Sequence, residues 1–166
     1  ARERTNERST VRLFHTDGLD LDAIGKDAYD AVYAVDTFSH ITFHSIRYKF
    51  LEEFFRVVKC DGLLSLQMTF GDGVHTPVSY HNDAPSASDA EVALTDAKSL
   101  YDDVYKVGFR DIWSKVRPAP PHLGHESIIF LTARKQCPRL SMKIIIAGEE
   151  QPQEQGHNKK FVVAIR

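Results

Sequence analysis

The sequence predicts an α/β fold whose sheet is mostly parallel and closes on an antiparallel pair of strands. Three observations carry that prediction. Short apolar runs alternate with a helical pattern through residue 70, a strong helix face lies between two of those runs, and the last two runs are joined by a proline-rich stretch too short for a crossover helix. The 166 residues are 42% hydrophobic and 27% charged, which supplies one core and little more.

Each element has a local reason. Val11 and Leu13 alternate before Thr16-Asp17-Gly18, so a strand is expected near residues 10 to 15, running into a loop. Ala31 to Val35 form a short run of the fully buried type, which exits into Asp36, Thr37, Ser39 and His40. Ile46, Phe50, Leu51, Phe54, Phe55 and Val58 recur at spacings of three and four and make one apolar helix face. Lys59-Cys60-Asp61-Gly62 is its stop signal, and Leu63 to Phe70 is the next strand, bounded by Gly62 and Gly71. Strand, helix and strand in that order make a parallel, right-handed unit.

Residues 71 to 88 form a long loop rich in His, Asp and Pro, of the kind that is usually functional inside a compact domain. Ser88-Asp89-Ala90-Glu91 has the pattern of a capping box, which places a helix from there to about Lys106. Runs near 109 to 116 and 127 to 134 are then expected as antiparallel strands. Beyond Lys135 the composition becomes linker-like. A polar spacer at 149 to 160 separates the apolar runs 142 to 148 and 159 to 166, so 1–135 reads as one domain and 136–166 as linker plus the possible first strands of a following domain.

Composition also bears on function. With 21 Lys and Arg against 23 Asp and Glu the net charge is −2, so no basic field points to nucleic acid or an anionic membrane. No run approaches the roughly 18 apolar residues of a membrane span. Cys60 and Cys137 have neither the number nor the spacing of a disulfide framework or a zinc knuckle, from which a reduced, cytoplasmic setting follows.

Several stretches resemble the class I S-adenosylmethionine-dependent methyltransferases. "VRLFHTDGLDLDAI" is similar to that family's third strand and acidic adenine loop, and "AYDAVYAVDTFSHI" to its fourth strand and exit. "FLEEFFRVVKCDGLLSLQ" resembles the helix and fifth strand, with Cys60 and Asp61 where the family usually has Pro and Gly. "VGFRDI" and "IIFLTARK" resemble the reversed pair that closes its sheet.

The resemblance covers roughly residues 1 to 135 and implies a Rossmann-like methyltransferase sheet. The family's first strand, Gly-rich loop and second strand find no counterpart, so the chain, which opens on Ala1, is expected to begin in mid-domain and to bind the cofactor weakly by itself.

The implied chemistry is methyl transfer from S-adenosylmethionine to an O or N acceptor, with a small molecule as the expected partner. The implied cofactor contacts are Asp17, Gly18, Leu19, Val35 and Asp36. In an open α/β sheet ligands sit beyond the carboxyl ends of strands, which is where Asp36 and His40 lie. A carboxylate at Asp17 beside the Gly18 amide suits an adenine edge, although Asp-Gly is equally a common turn.

His40 is the candidate base, with a structural histidine as the plainer alternative. His75, Tyr80 and His81, in the loop that follows the fifth strand, are the candidate acceptor contacts. His40 and His44 have the spacing of a helical metal pair but lack the accompanying Glu. His75, His81, Asp83, His122, His125 and Glu126 are readable as exposed loop residues, so no metal is expected. Tyr101 and Trp113 read as core aromatics.

Two other functions stay open. One is a methyltransferase-like domain that serves as a scaffold beside a further domain after residue 160. The other, ranked lower, is a nicotinamide enzyme, whose Gly-x-Gly-x-x-Gly fingerprint is absent.

Overall fold

The computed structural model describes residues 12–16, 20–71, 76–120, 125–137 and 161–163. Strand β1 (Tyr29–Ala34) is followed by a short 3-10 turn at Phe38–His40, helix α1 (His44–Val57) and strand β2 (Val58–Phe70). Short strands β3 (Pro77–Ser79) and β4 (Glu91–Ala93) precede helix α2 (Ala97–Val107), and β5 (Arg110–Pro118) and β6 (Ser127–Arg134) follow it. A last strand, β7, spans Phe161–Val163.

The main sheet has the order β5-β6-β2-β1-β7. β1 is parallel to β2 and to β7, whereas β6 is antiparallel to both β2 and β5. The parallel unit and the reversed closing pair are therefore as the sequence predicts. β3 and β4 form a separate parallel pair.

The core lies where α1 and α2 meet the sheet. Gly62, Leu64, Leu66 and Met68 of β2 alternate inward, as a strand's period of two requires, and Ile129, Leu131 and Ala133 of β6 do the same. Leu51, Phe54 and Val57 of α1, with Leu100, Val104 and Phe109 from α2 and its exit, pack with them. Gly62 has no room for a side chain, because a Cβ there would lie 2.8 Å from the Asp30 carbonyl oxygen and 2.9 Å from that of Lys59. Gly108 ends α2 at φ 125°, a conformation that favours glycine, and the chain then buries Phe109 edge-on to Phe55 at 5.1 Å.

Several expectations are corrected. Residues 12 to 16 are not a strand. Leu13 and Phe14 are exposed and have no ladder partner, and alternation without a neighbouring edge does not make a strand. The run expected as Ala31 to Val35 is Tyr29–Ala34, with only Val32 and Ala34 fully buried and Val35 54% exposed.

α1 passes directly into β2 at Val58, so the Lys59–Gly62 stretch is strand and not a helix stop. The capping-box pattern at Ser88 starts no helix, because Glu91–Ala93 pair with β3 and Leu94 bridges Phe70. The N-cap of α2 is Asp96, whose carboxylate accepts the Ser99 amide at 3.1 Å.

Trp113, at 58% exposure, and Tyr101 lie on the surface and not in the core. Residues 161–163, read as the possible first strands of a following domain, pair with β1 in this sheet.

Cys60 and Cys137 are joined by a disulfide across 77 residues. Cysteine counting sees only sequence distance, whereas the β2–β6 ladder brings Leu63 opposite Arg134, three residues from each cysteine. The inference of a reduced, cytoplasmic setting rested on unpaired thiols and loses that ground. Among the described residues no helix is long and apolar enough to cross a membrane.

Candidate functional site

The site is built where β1 ends. Asp36 turns the chain with a φ of 54°, which a short polar side chain tolerates, and Thr37 Oγ1 donates to the Val35 carbonyl at 3.0 Å. The 3-10 turn that follows is anchored from below. Phe38 is buried against Phe54 with ring centroids 5.8 Å apart, and Ser39 Oγ accepts the Thr69 amide of β2 at 2.8 Å. Ser39 thus faces the protein. Asp36 and His40 remain at the surface.

His40 lies between two carboxylates, with Nε2 3.7 Å from Asp36 and Nδ1 3.6 Å from Glu91. Those separations suit ion pairing with an imidazolium and are long for hydrogen bonds. Glu91 was not among the expected site residues. It reaches His40 because β4 pairs with β3 and bridges onto the end of β2, which is a tertiary event.

A second polar cluster joins α1, α2 and the loop after β3. Asp103, on the inward face of α2, accepts the Tyr80 hydroxyl at 2.9 Å and pairs with His44 Nε2 at 2.6 Å. The His81 ring stands edge-on to His44, with centroids 4.8 Å apart. Burial pushes the Tyr80 hydroxyl far above its ordinary range, and the Asp103 charge adds to the effect, so Tyr80 is a neutral donor.

Beneath the cluster Arg47 is fully buried and donates to the carbonyls of Ile41 and Tyr80. Burial lowers its affinity for its proton relative to a free guanidinium. One side chain therefore ties the segment carrying His40 to the loop carrying Tyr80 and His81. The signal for Arg47 was a cation at i in the i, i+4, i+7 series it forms with Leu51 and Phe54.

The acidic loop before β1 docks on the same helix. Arg56 donates to the carbonyls of Leu21 at 3.0 Å and Ile24 at 2.8 Å, and Glu53 accepts the Leu21 amide at 3.1 Å. The hydrogen bond from Arg56 holds the Glu53 carboxyl below its usual range.

Of the expected contacts, Asp36 and His40 are brought together, and Val35 is adjacent and exposed. Tyr80 is buried behind His44, at 5% exposure, rather than lining an open surface, while His81 is exposed beside it. Asp17, Gly18, Leu19 and His75 lie outside the described residues, as does His122. Among the described residues no group of three or more His, Cys, Asp or Glu is placed to hold a metal ion.

A family model described as a methyltransferase domain matches residues 1–66, less than half of the chain. No curated protein matches the sequence. Among solved structures, an S-adenosylmethionine-dependent methyltransferase from Methanosarcina mazei superposes with a TM-score of 0.56 at 13% identity, over 73% of this chain and 65% of that one. A methyltransferase from Thermotoga maritima described as a possible histamine N-methyltransferase gives 0.50 at 15%, over 76% and 65%. The [4+2]-cyclase SpnF gives 0.51 at 18%, over 73% and 55%. The chain spans less than two thirds of the length of each of these structures. Sequence match and topology agree, and the chain is built on the α/β fold of the class I S-adenosylmethionine-dependent methyltransferases.

Proposed function

We propose that the protein to which this chain belongs transfers a methyl group from S-adenosylmethionine to an O or N acceptor of small-molecule size. The observation that carries this reading is the exit of β1. At the carboxyl end of a parallel pair, a backbone turn at Asp36 presents an exposed carboxylate next to His40 and Glu91.

The residues present suit the amino-acid end of the cofactor. The Asp36 carboxylate is a charge-assisted acceptor for an ammonium group, and exposed Val35 supplies apolar surface beside it. Asp17, Gly18 and Leu19 belong to the same proposal as adenine contacts, and His75 and His81 as acceptor contacts. When bound, the cofactor supplies an electrophilic methyl group on a sulfonium, for which alignment of the acceptor is the chief requirement. His40 takes the proton that the acceptor gives up, and Asp36 and Glu91 stabilise the resulting imidazolium.

Calorimetric titration of the full-length protein with S-adenosylhomocysteine tests the reading. Asp36→Ala is expected to weaken binding by about 1–3 kcal/mol. His40→Ala is expected to leave affinity alone and to lower turnover by roughly 10²–10⁴-fold. Absence of binding by the full-length protein would favour the scaffold function, and the [4+2]-cyclase shows that this fold also carries other chemistry.

A further inference from the structure

We infer that His44, oriented by Asp103, is a second proton-accepting group whose partner is an ammonium-bearing acceptor. The inference rests on the methyl-transfer reading for its purpose and on the His44–Asp103–Tyr80 cluster for its geometry.

Asp103 has a side chain only 3% exposed, and it meets both the Tyr80 hydroxyl and His44 Nε2. A carboxylate accepts, so Nε2 is the nitrogen that donates to Asp103, and Nδ1 is the ring nitrogen on the other side. The ring retains 20% exposure, and the edge of the exposed His81 ring lies against it. His44 thus has the arrangement of an oriented base, with one nitrogen held by a buried carboxylate and the other left to accept. Asp103 acts through His44 and is a positioning residue.

The surrounding charges select the partner. His44 is the first residue of α1, and Asp83 accepts the next amide, that of Ser45, at 2.8 Å. Asp36 and Glu91 face His40, while Asp103 faces His44 and Asp83 sits at the start of the same helix. Against these stand Arg47, which keeps its charge while donating to two carbonyls and interacts with Asp103 and Asp83, and Lys106, 3.8 Å from Asp103 and 62% exposed. The Tyr48 ring, 6.2 Å from His44, and the Tyr80 ring complete the surroundings. Four carboxylates against two cations, with aromatic rings beside them, favour an organic cation over an anion.

An ammonium has no lone pair to offer a methyl group. The step assigned to His44 is R–NH3+ plus neutral imidazole giving R–NH2 plus imidazolium, with the proton moving to Nδ1 and the new charge facing Asp103. His40 is then left to take the proton released after transfer.

The test uses the full chain with ¹⁵N-labelled histidine and benzylammonium as the probe, compared with benzyl alcohol and benzoate. The expected spectrum shows the Nε2–H tautomer for His44 in the wild type and a mixture of tautomers in Asp103→Asn. Benzylammonium is expected to shift the His44 and His81 ring signals, with at least tenfold weaker binding to Asp103→Asn and little response to benzoate. Equal response to benzoate, an Nδ1–H tautomer, or wild-type His44 signals that benzylammonium does not move would overturn the inference. These arms need no cofactor, so they stand apart from the S-adenosylhomocysteine titration. Should Asp103→Asn fail to fold, the wild-type tautomer and the ammonium-to-benzoate comparison still decide.

Discussion

Arg47 occupies a place that an apolar residue would normally fill, on the inward stripe of α1 above Leu51 and Phe54. A buried guanidinium is tolerated when its terminal donors are used, and two of them close on the carbonyls of Ile41 and Tyr80, while Nε has no hydrogen-bond partner among the described residues. Arg47→Met keeps the volume and removes the donors, leaving both carbonyls without this partner. Stability should fall by about 2–4 kcal/mol in denaturant unfolding. Hydrogen exchange in the loop containing Tyr80 should accelerate more than in β2, because the loop loses its tie while the sheet keeps its ladder. At this scale the sequence showed His40 and Asp36 as neighbours, since they are four residues apart. It could not show Glu91 or Asp103, whose approach depends on strand pairing and helix packing between distant segments.

At the scale of elements, two possible starts compete for α2. Ser88-Asp89-Ala90-Glu91 satisfies the capping-box pattern, yet the next residues enter a strand that buries Val92 and Leu94 completely. Burial of two large aliphatic side chains, each worth about 1.5–3 kcal/mol, outweighs a cap worth about 1 kcal/mol. Asp96→Ala should therefore lower thermal stability by the equivalent of about 1 kcal/mol, whereas Ser88→Ala should change it by less than about 0.5 kcal/mol. A larger effect at Ser88 would return the helix start to that position. The passage from α1 to β2 follows the same logic, in that Val58 is buried as the first strand residue rather than as the last helical one.

Across the whole molecule the disulfide and Lys135 act at one place. Lys135 Nζ donates to the Phe55 carbonyl at 2.7 Å, to that of Val58 at 2.8 Å and to the Asp27 carboxylate at 2.7 Å. The cation sits at the negative end of α1, and Cys137 fastens the same segment to β2 two residues later. Replacing both cysteines by serine frees a loop of 77 residues in the unfolded chain and should cost roughly 2–4 kcal/mol. Unfolding with and without reductant is the measurement. The wild type should lose stability on reduction, and the double variant should not respond.

The sequence by itself determined the parallel β1–α1–β2 unit, the reversed pair β5–β6 and the polar exit of β1. Each of these is written in local periodicity and in connection length, which act over a few residues. Only the tertiary structure decided that residues 12 to 16 stay out of the sheet, that residues 161–163 enter it, and that Cys60 meets Cys137. It also decided that Asp103 holds His44. Strand partners, disulfides and buried ion pairs join groups far apart in the chain. Their energies depend on a shared core and a common sheet edge, which no local pattern encodes.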